Sequence, residues 1–329
     1  MKILVTGGAG LIGSNLVKML LNLDHKVIVA DNLWRGKLEN LQELSGYKFF
    51  DIHDDFYELD LTNYNNCLKV CKNVDVVIHL ADVVAGINYV FENELFLYRS
   101  NILMNSNILD AAIKQKVKKY VYVGTACSYP EEKQSYLNPP PFVEEDVYPA
   151  NPESSYGWSK LMGEYEAELA QKEGKIEVGI LRLHNVYGPP CEISPEKSQV
   201  IPALCRKAIQ HPEEDFIVWG SGQQRRAFVH VDDVVDALIA IMDKGMGCGA
   251  IQIGPGQSDS IAEIAQHIVD ISGKKILIKF DKTKPEGDKD RSADNSKAKK
   301  ILNWSQKISI REGLESTYLW TEEHMKNTH

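Results

Sequence analysis

"TGGAGLIGSN", residues 6–15, follows the apolar run "KILV" of residues 2–5 and leads into the apolar stretch "LVKMLLNL" of residues 16–23. Glycines 7, 10 and 13 satisfy GxxGxxG, and glycines 8, 10 and 13 satisfy GxGxxG. The motif gains physical meaning from its setting of strand, glycine turn and helix. Backbone N–H groups at a helix start, with no Cβ in the way, can approach a pyrophosphate. Without a ligand the same glycines would only mark a tight turn. The pattern therefore places Gly7, Gly10, Leu11, Ile12 and Gly13 against the phosphates of a dinucleotide.

The next strand-like run, "KVIVAD", ends in Asp31, 18 residues after Gly13, near the ~20 expected for a carboxylate on the adenosine ribose. A carboxylate accepts from a 2′-hydroxyl and repels a 2′-phosphate, so NAD is favoured over NADP. Arg35 nearby weakens that preference, and Asn32 is expected beside the same ribose. Asp60 closes "FYELD" and either caps the helix that follows or meets the adenine edge together with Leu61.

Further along, "FYELD", "DVVIHLA", "YVYVG" and "EVGILRL" alternate with helical segments such as "YRSNILMNSNILDAAIKQ". The strands are apolar on successive positions, as burial on both faces requires, which predicts an α/β fold with a doubly wound parallel (Rossmann) sheet. Beyond about residue 186, Pro and Gly become frequent ("YGPPCEISPEK", "WGSG", "IGPGQ") and the strands shorten. This part reads as a smaller, discontinuous α/β substrate-binding cap. The segment "RRAFVHVDDVVDALIAIMDKG" reads as a strand and helix returning to the main sheet. The expected division is 1–186 with 225–250 for the dinucleotide-binding domain and 187–224 with 251–329 for the cap.

The net charge of −9 over 329 residues comes without long blocks of one sign, which disfavours a nucleic-acid partner. No stretch approaches the ~18 apolar residues of a membrane span, and the N-terminus is unlike a signal peptide. Six scattered cysteines form no CxxC pair and no metal-like cluster with histidines, so free thiols, no metal and a cytoplasmic setting are expected.

"ESSYGWSKLMGEYEAELA" sets Tyr156 and Lys160 four apart on a helix that Pro152 and Ser154 can begin. That spacing puts both on one face. An ammonium beside a phenol favours tyrosinate, which can take a hydroxyl proton while the carbon beneath gives hydride to a nicotinamide. YxxxK alone is a common accident of surface residues. It gains weight from the glycine loop and from Thr125 at the end of the fifth strand.

Together "TGGAGLIGS", Asp31, "HLA" at 79–81, "TACSYP" at 125–130 and the Tyr156/Lys160 pair resemble the extended short-chain dehydrogenase/reductase (NAD-dependent epimerase/dehydratase) family, over nearly the whole chain. The resemblance implies NAD on the glycine loop, with Leu80, Ala81, Tyr156 and Lys160 also at the cofactor. It implies Thr125, Tyr156 and Lys160 as the group that oxidises a sugar hydroxyl, usually at C4. "HNVYGPP", "SQVIPALCRKAI", "WGSGQQRRAFVHVDD" and "GDKDRSADNSKAKKILNW" are similar to the GDP-sugar branch, that of the GDP-mannose 3,5-epimerases and GDP-fucose synthases. That branch implies Asn185, Gln199 and Val200 at the substrate, and Arg226 and Arg291 near the nucleotide phosphates. The plain reading of the two arginines is surface ion pairing.

Two positions bear on the reaction. Where dehydratases of the family carry Asp and Glu after the catalytic hydroxyl, this chain has Ala126 and Cys127, which argues against dehydration. Epimerising members place a Cys there as an acid/base, and the plain alternative is a small packing residue. Those members also need a second acid/base, and the matching position here is Gln199, which cannot shuttle a proton. Lys197 is its possible substitute. The reading is therefore an NAD-dependent oxidation at C4 of a GDP-linked manno-configured sugar, hexose or heptose, to a 4-keto species. The alternatives are a 3,5- or 4-epimerase that returns the hydride and a non-catalytic NAD(H)-binding sensor or scaffold. A homodimer or higher homo-oligomer is expected through the helices containing "YRSNILMNSNILDAAIKQ" and "SSYGWSKLMGEYEAELA".

Overall fold

Each strand-like run quoted above becomes a strand in the computed structural model, which describes residues 1–284 and 286–327. Residues 285, 328 and 329, within the expected cap, lie outside the description. The strands are β1 (Lys2–Thr6), β2 (Lys26–Asp31), β3 (Phe56–Glu58), β4 (Val76–His79), β5 (Lys119–Thr125), β6 (Glu177–Leu183) and β7 (Ala250–Ile253). They form one seven-stranded parallel sheet in the order β7-β6-β5-β4-β1-β2-β3. The order reverses at β1, which pairs with β2 on one side and β4 on the other. In open α/β sheets ligands bind at the carboxyl ends of the strands flanking this point. Thr6, Asp31, His79 and Thr125 all end their strands there.

The unbroken apolar runs follow from two-sided burial. Successive residues of β1 enter different cores: Ile3 and Val5 join one, Leu4 the other. The first core is completed by helix α1 (Leu11–Asn22), through Leu16, Val17 and Leu20, and by two helices farther along the chain. The second is completed by α2 (Glu94–Lys114), through Leu97, Met104 and Ile108, and α3 (Ser155–Lys172), through Ala167 and Ala170. A third, separate core packs Ile201 and Leu204 of α4 (Val200–Gln210) with residues of two later helices. Helix α5 (Val231–Ala240) contributes Val234 and Leu238 to the first core. Helix α6 (Ile261–Ser272) contributes Ile264 and Ile268 to the third. Helix α7 (Ser296–Leu302) sets Ala298 and Leu302 in the first core, and α8 (Ile310–Asn327) sets Leu314 and Tyr318 in the third.

Two expectations about the chain's return to the sheet are corrected. The strand Phe228–His230 does not join the seven-stranded sheet. It pairs in parallel with Asn185–Tyr187 in a separate two-stranded sheet, and only the helix that follows it, α5, packs on the main core. The seventh strand of the sheet is β7, which runs to Ile253, past the boundary expected at 250. Segment 296–304 also returns to the main body: Ala298, Leu302 and Trp304 join the first core, and the helix over 296–302 packs against β7.

Candidate active site

One cavity of about 800 Å³ runs from the glycine loop to the inner face of the third core. Gly7, Gly10, Leu11, Ile12, Gly13, Asp31, Asn32, Leu61, Leu80, Ala81, Thr125, Cys127, Tyr156, Lys160, Asn185, Gln199, Val200, Arg226 and Arg291 all line it. Of the site residues read from the sequence, Asp60 does not, and neither does Lys197, the candidate substitute for Gln199. Asp60 Oδ1 accepts from the Thr62 N–H at 2.8 Å, and the following helix is capped by Asn63 instead. Asp60 thus shapes the turn that carries Leu61 to the cavity wall.

The dinucleotide end is built from close backbone approach. A Cβ on Gly13 would lie 2.2 Å from the Gly7 carbonyl oxygen, and Gly7 itself has φ +68°. Helix α1 starts after its N-cap Gly10 with no side-chain cap, so its first-turn N–H groups have no acceptor within the helix, and Gly10, Leu11, Ile12 and Gly13 line the cavity. Asp31 accepts from Ala9 N–H at 3.0 Å through Oδ2 and from Leu33 N–H at 2.8 Å through Oδ1. Burial raises its pKa, and these N–H bonds oppose the rise. Each oxygen keeps a lone pair for a ribose hydroxyl. These residues fit NAD.

The reacting end is set by strand β5 and helix α3. Ser154 caps α3 through the Gly157 N–H at 3.3 Å. A Cβ on Gly157 would lie 2.2 Å from the Cys127 carbonyl oxygen, so the helix start is pressed onto the loop after β5. That contact brings Tyr156 beside Thr125 and Cys127. Thr125 Oγ1 accepts from the Cys127 N–H at 3.2 Å, which leaves its own hydroxyl hydrogen available to a ligand. Lys160, 2% exposed, lies with its Nζ 4.9 Å from the centroid of the Tyr122 ring. Tyr122 donates to the Lys160 carbonyl at 3.0 Å. His79 joins Thr6 Oγ1 (2.7 Å) to Asn105 Oδ1 (3.0 Å) and ties β1, β4 and α2 together behind the pair. Burial, with Lys160 nearby, pushes His79 down to about 3, so it is neutral.

The expectation that Lys160 favours tyrosinate is corrected by a residue that sequence reading missed. Asp82 Oδ2 accepts from the Tyr156 hydroxyl at 2.8 Å and lies 3.8 Å from Lys160 Nζ. Burial, followed by the Asp82 charge, raises the Tyr156 pKa well above its ordinary value, while burial lowers that of Lys160. Tyr156 is therefore a phenol that donates. Its signal in the sequence is only that Asp82 follows "HLA" on the loop after β4.

The substrate end holds the two arginines, neither in a surface ion pair. Arg226 donates to the carbonyls of Arg225 (2.7 Å), Asp288 (2.6 Å) and Glu286 (3.2 Å). Arg291 is 3% exposed and donates to Asp288 Oδ2 and Gln134 Oε1, each at 2.9 Å, to Asn185 Oδ1 at 3.2 Å and to Cys127 Sγ at 3.6 Å. Gln199 caps the start of α4 without a side-chain hydrogen bond to the helix. Lys197 does not take its place: its Nζ donates to the Trp34 carbonyl at 2.9 Å and lies 5.2 Å from the centroid of that ring. Tyr129, the phenol of "TACSYP", turns into the core and donates to Gln252 Oε1 at 2.9 Å.

A dinucleotide cradle that opens onto a Thr, Tyr and Lys at one sheet edge defines a nicotinamide-dependent enzyme acting on an alcohol or its ketone. The chain belongs to the NAD dependent epimerase/dehydratase family, whose model matches residues 3–254, and it is an NAD-dependent enzyme of that family. It is 32% identical over 327 residues to GDP-mannose 3,5-epimerase of Arabidopsis thaliana, covering 99% of this chain and 83% of that protein. It is also 32% identical over 329 residues to UDP-N-acetyl-alpha-D-glucosaminuronate decarboxylase of Bacillus cytotoxicus, covering 97% of each. Among solved structures it is similar to UDP-glucose 4-epimerase of Thermotoga maritima with UDP-glucose, at TM-score 0.86 and 30% identity over 99% of this chain and 100% of that one. Relatives on both GDP- and UDP-sugars fix the family at the level of sugar-nucleotide enzymes.

Proposed function

We propose that the protein oxidises the C4 hydroxyl of a GDP-linked manno-configured sugar, hexose or heptose, to a 4-keto species. The observation that carries this reading is the convergence of Thr125, Tyr156 and Lys160 on one cavity wall beyond the glycine loop. Similarity over 99% of the chain to a GDP-mannose 3,5-epimerase supports the choice of sugar nucleotide. Held by the glycine loop and Asp31, a bound NAD would supply the hydride acceptor for C4. Thr125 donates to the sugar oxygen, and Tyr156 takes the hydroxyl proton once it has itself lost its proton to solvent against the opposing charge of the Asp82 carboxylate. Lys160 holds positive charge 3.8 Å from that carboxylate and steadies the ionised arrangement. Arg226 and Arg291 face the diphosphate. The test is to incubate the protein with GDP-mannose and with a GDP-heptose, reading NADH by absorbance and the sugar product by NMR.

A second reading, a 3,5- or 4-epimerase that returns the hydride, is favoured by Cys127 on the cavity wall against Arg291. Gln199 favours the first, because an amide carries no exchangeable acid for the opposite face of the sugar. We further propose self-association through α2 and α3, which expose Leu95, Phe96 and Leu103 beside Tyr165 and Leu169.

A further inference from the structure

Gln252, on the edge strand β7, is fully buried, and both ends of its amide use all their hydrogen-bonding positions. Oε1 accepts from the Tyr129 hydroxyl at 2.9 Å and lies 3.1 Å from His184 Nε2. Nε2 donates to the Phe142 carbonyl and, at 3.0 Å, to that of Asp294. Two facing carbonyls fix which end of the amide donates, so His184 carries its hydrogen on Nε2. Burial, followed by Arg291, pushes His184 down to about 3, and the ring is neutral. The Gln252 backbone N–H donates to Glu144 Oε1 at 2.9 Å.

The segments tied to this amide are those that bring side chains to the substrate end. Tyr129 closes the loop that carries Thr125 and Cys127. His184 precedes Asn185, whose Oδ1 accepts from Arg291 Nη2 at 3.2 Å. Asp294 follows Arg291 on one short segment, and its backbone N–H donates to the Phe142 carbonyl at 2.9 Å. Gln134 links the first of these segments to the last: its Oε1 accepts from Arg291 Nη1 and its Nε2 donates to the Tyr129 carbonyl, each at 2.9 Å. Tyr129, His184, Phe142, Asp294 and Glu144 all lie outside the glycine loop and β2, which form the dinucleotide end.

We propose that Gln252 is a positioning residue for the sugar-nucleotide subsite, its single amide setting Thr125 and Cys127, Asn185, and Arg291 relative to one another. The proposal rests on the reading of the cavity as a sugar-nucleotide site. A buried polar network with every member satisfied is rigid, whereas loss of its hub leaves the Tyr129 and His184 donors and two carbonyls unpaired, and the segments shift to recover partners. A misplacement of about 1 Å at a site that depends on alignment costs up to about 10²-fold. The dinucleotide end, held by other strands, keeps its geometry.

The test is calorimetric titration with NADH and then, on the NADH-loaded protein, in which an alcohol substrate cannot be oxidised, with GDP-mannose and, separately, UDP-glucose. Gln252→Leu is expected to weaken whichever sugar nucleotide the unmodified protein binds by about tenfold or more, with NADH affinity kept within about twofold. Tyr129→Phe, whose ring stays in its core with Phe142 and Leu161, loses one bond to the amide and weakens the sugar nucleotide by about threefold. The double variant binds no more weakly than Gln252→Leu alone, because Tyr129 acts through the same amide. A residue that only stabilised the fold would lower the two affinities in parallel. Parallel losses, an unchanged sugar-nucleotide affinity in Gln252→Leu, or a double variant that shows both single effects in full each overturn the proposal while leaving the sugar-nucleotide reading intact. If Gln252→Leu does not fold, Tyr129→Phe decides alone, and an unchanged sugar-nucleotide affinity in it overturns the proposal. Binding of neither sugar nucleotide to the unmodified protein overturns both.

Discussion

The Tyr156 hydroxyl donates to Asp82 Oδ2 at 2.8 Å, and this contact sets the proton state from which the site begins. A phenol next to a carboxylate resists ionisation because the second negative charge is repelled. Activity that needs ionised Tyr156 then rises with pH until the phenol titrates. Asp82→Asn removes the charge, lowers the phenol pKa and moves the alkaline rise of kcat to lower pH. NADH formation followed across pH checks this, and an unmoved rise shows that Asp82 does not govern the base.

Tyr156→Phe removes the proton acceptor and keeps the ring that packs on the second core. Turnover is expected to fall by ~10²-fold or more with nucleotide binding retained. Full activity in that variant removes Tyr156 from the chemistry.

Asp31 occupies the end of β2 with its oxygens aimed by Ala9 and Leu33. NAD should bind well and NADP poorly. Asp31→Ala narrows that gap by removing the charge that repels a 2′-phosphate, as measured by titration of both cofactors. Equal affinity of the unmodified protein for the two cofactors contradicts the assignment.

Behind the site, Arg182 of β6 pairs with Glu164 of α3 and donates to the Glu144 carbonyl at 2.9 Å and to the Tyr129 hydroxyl at 3.1 Å. All of this lies out of solvent, so Glu164→Gln leaves a buried guanidinium uncompensated. A loss of about 3 kcal/mol in urea unfolding is expected. A loss below about 1 kcal/mol, the range of surface pairs, contradicts the role of this pair in holding α3 on the sheet.

The dinucleotide half of the site was legible because its determinants are local: the glycine spacing, the acid closing β2, and Tyr156 with Lys160 one helical turn apart. The parallel sheet was legible for the same reason, since burial on both faces leaves an unbroken apolar run. What stayed hidden depends on contacts between distant segments. Asp82 meets Tyr156 across 74 residues and Arg291 meets Cys127 across 164, and no periodicity announces either. Phe228–His230 reads as a sheet strand by composition, yet its three residues find a partner in Asn185–Tyr187, a choice made by packing. Lys197 looked free to replace Gln199 only because the Trp34 carbonyl and ring that hold it lie 163 residues away.

The central claim is that the reaction ends at the 4-ketone. Turnover of GDP-mannose and of a GDP-heptose in D₂O, with the product read by NMR and NADH by absorbance, tests it most directly. A C4 dehydrogenase need not break a C–H bond beside the ketone, and Gln199 supplies no proton to rebuild one. The expected result is NADH or a 4-keto sugar, with little inverted product at C3 or C5. Cys127→Ser should then impair turnover only modestly. Efficient inversion at both centres with stoichiometric deuterium uptake, abolished in Cys127→Ser, would contradict the account.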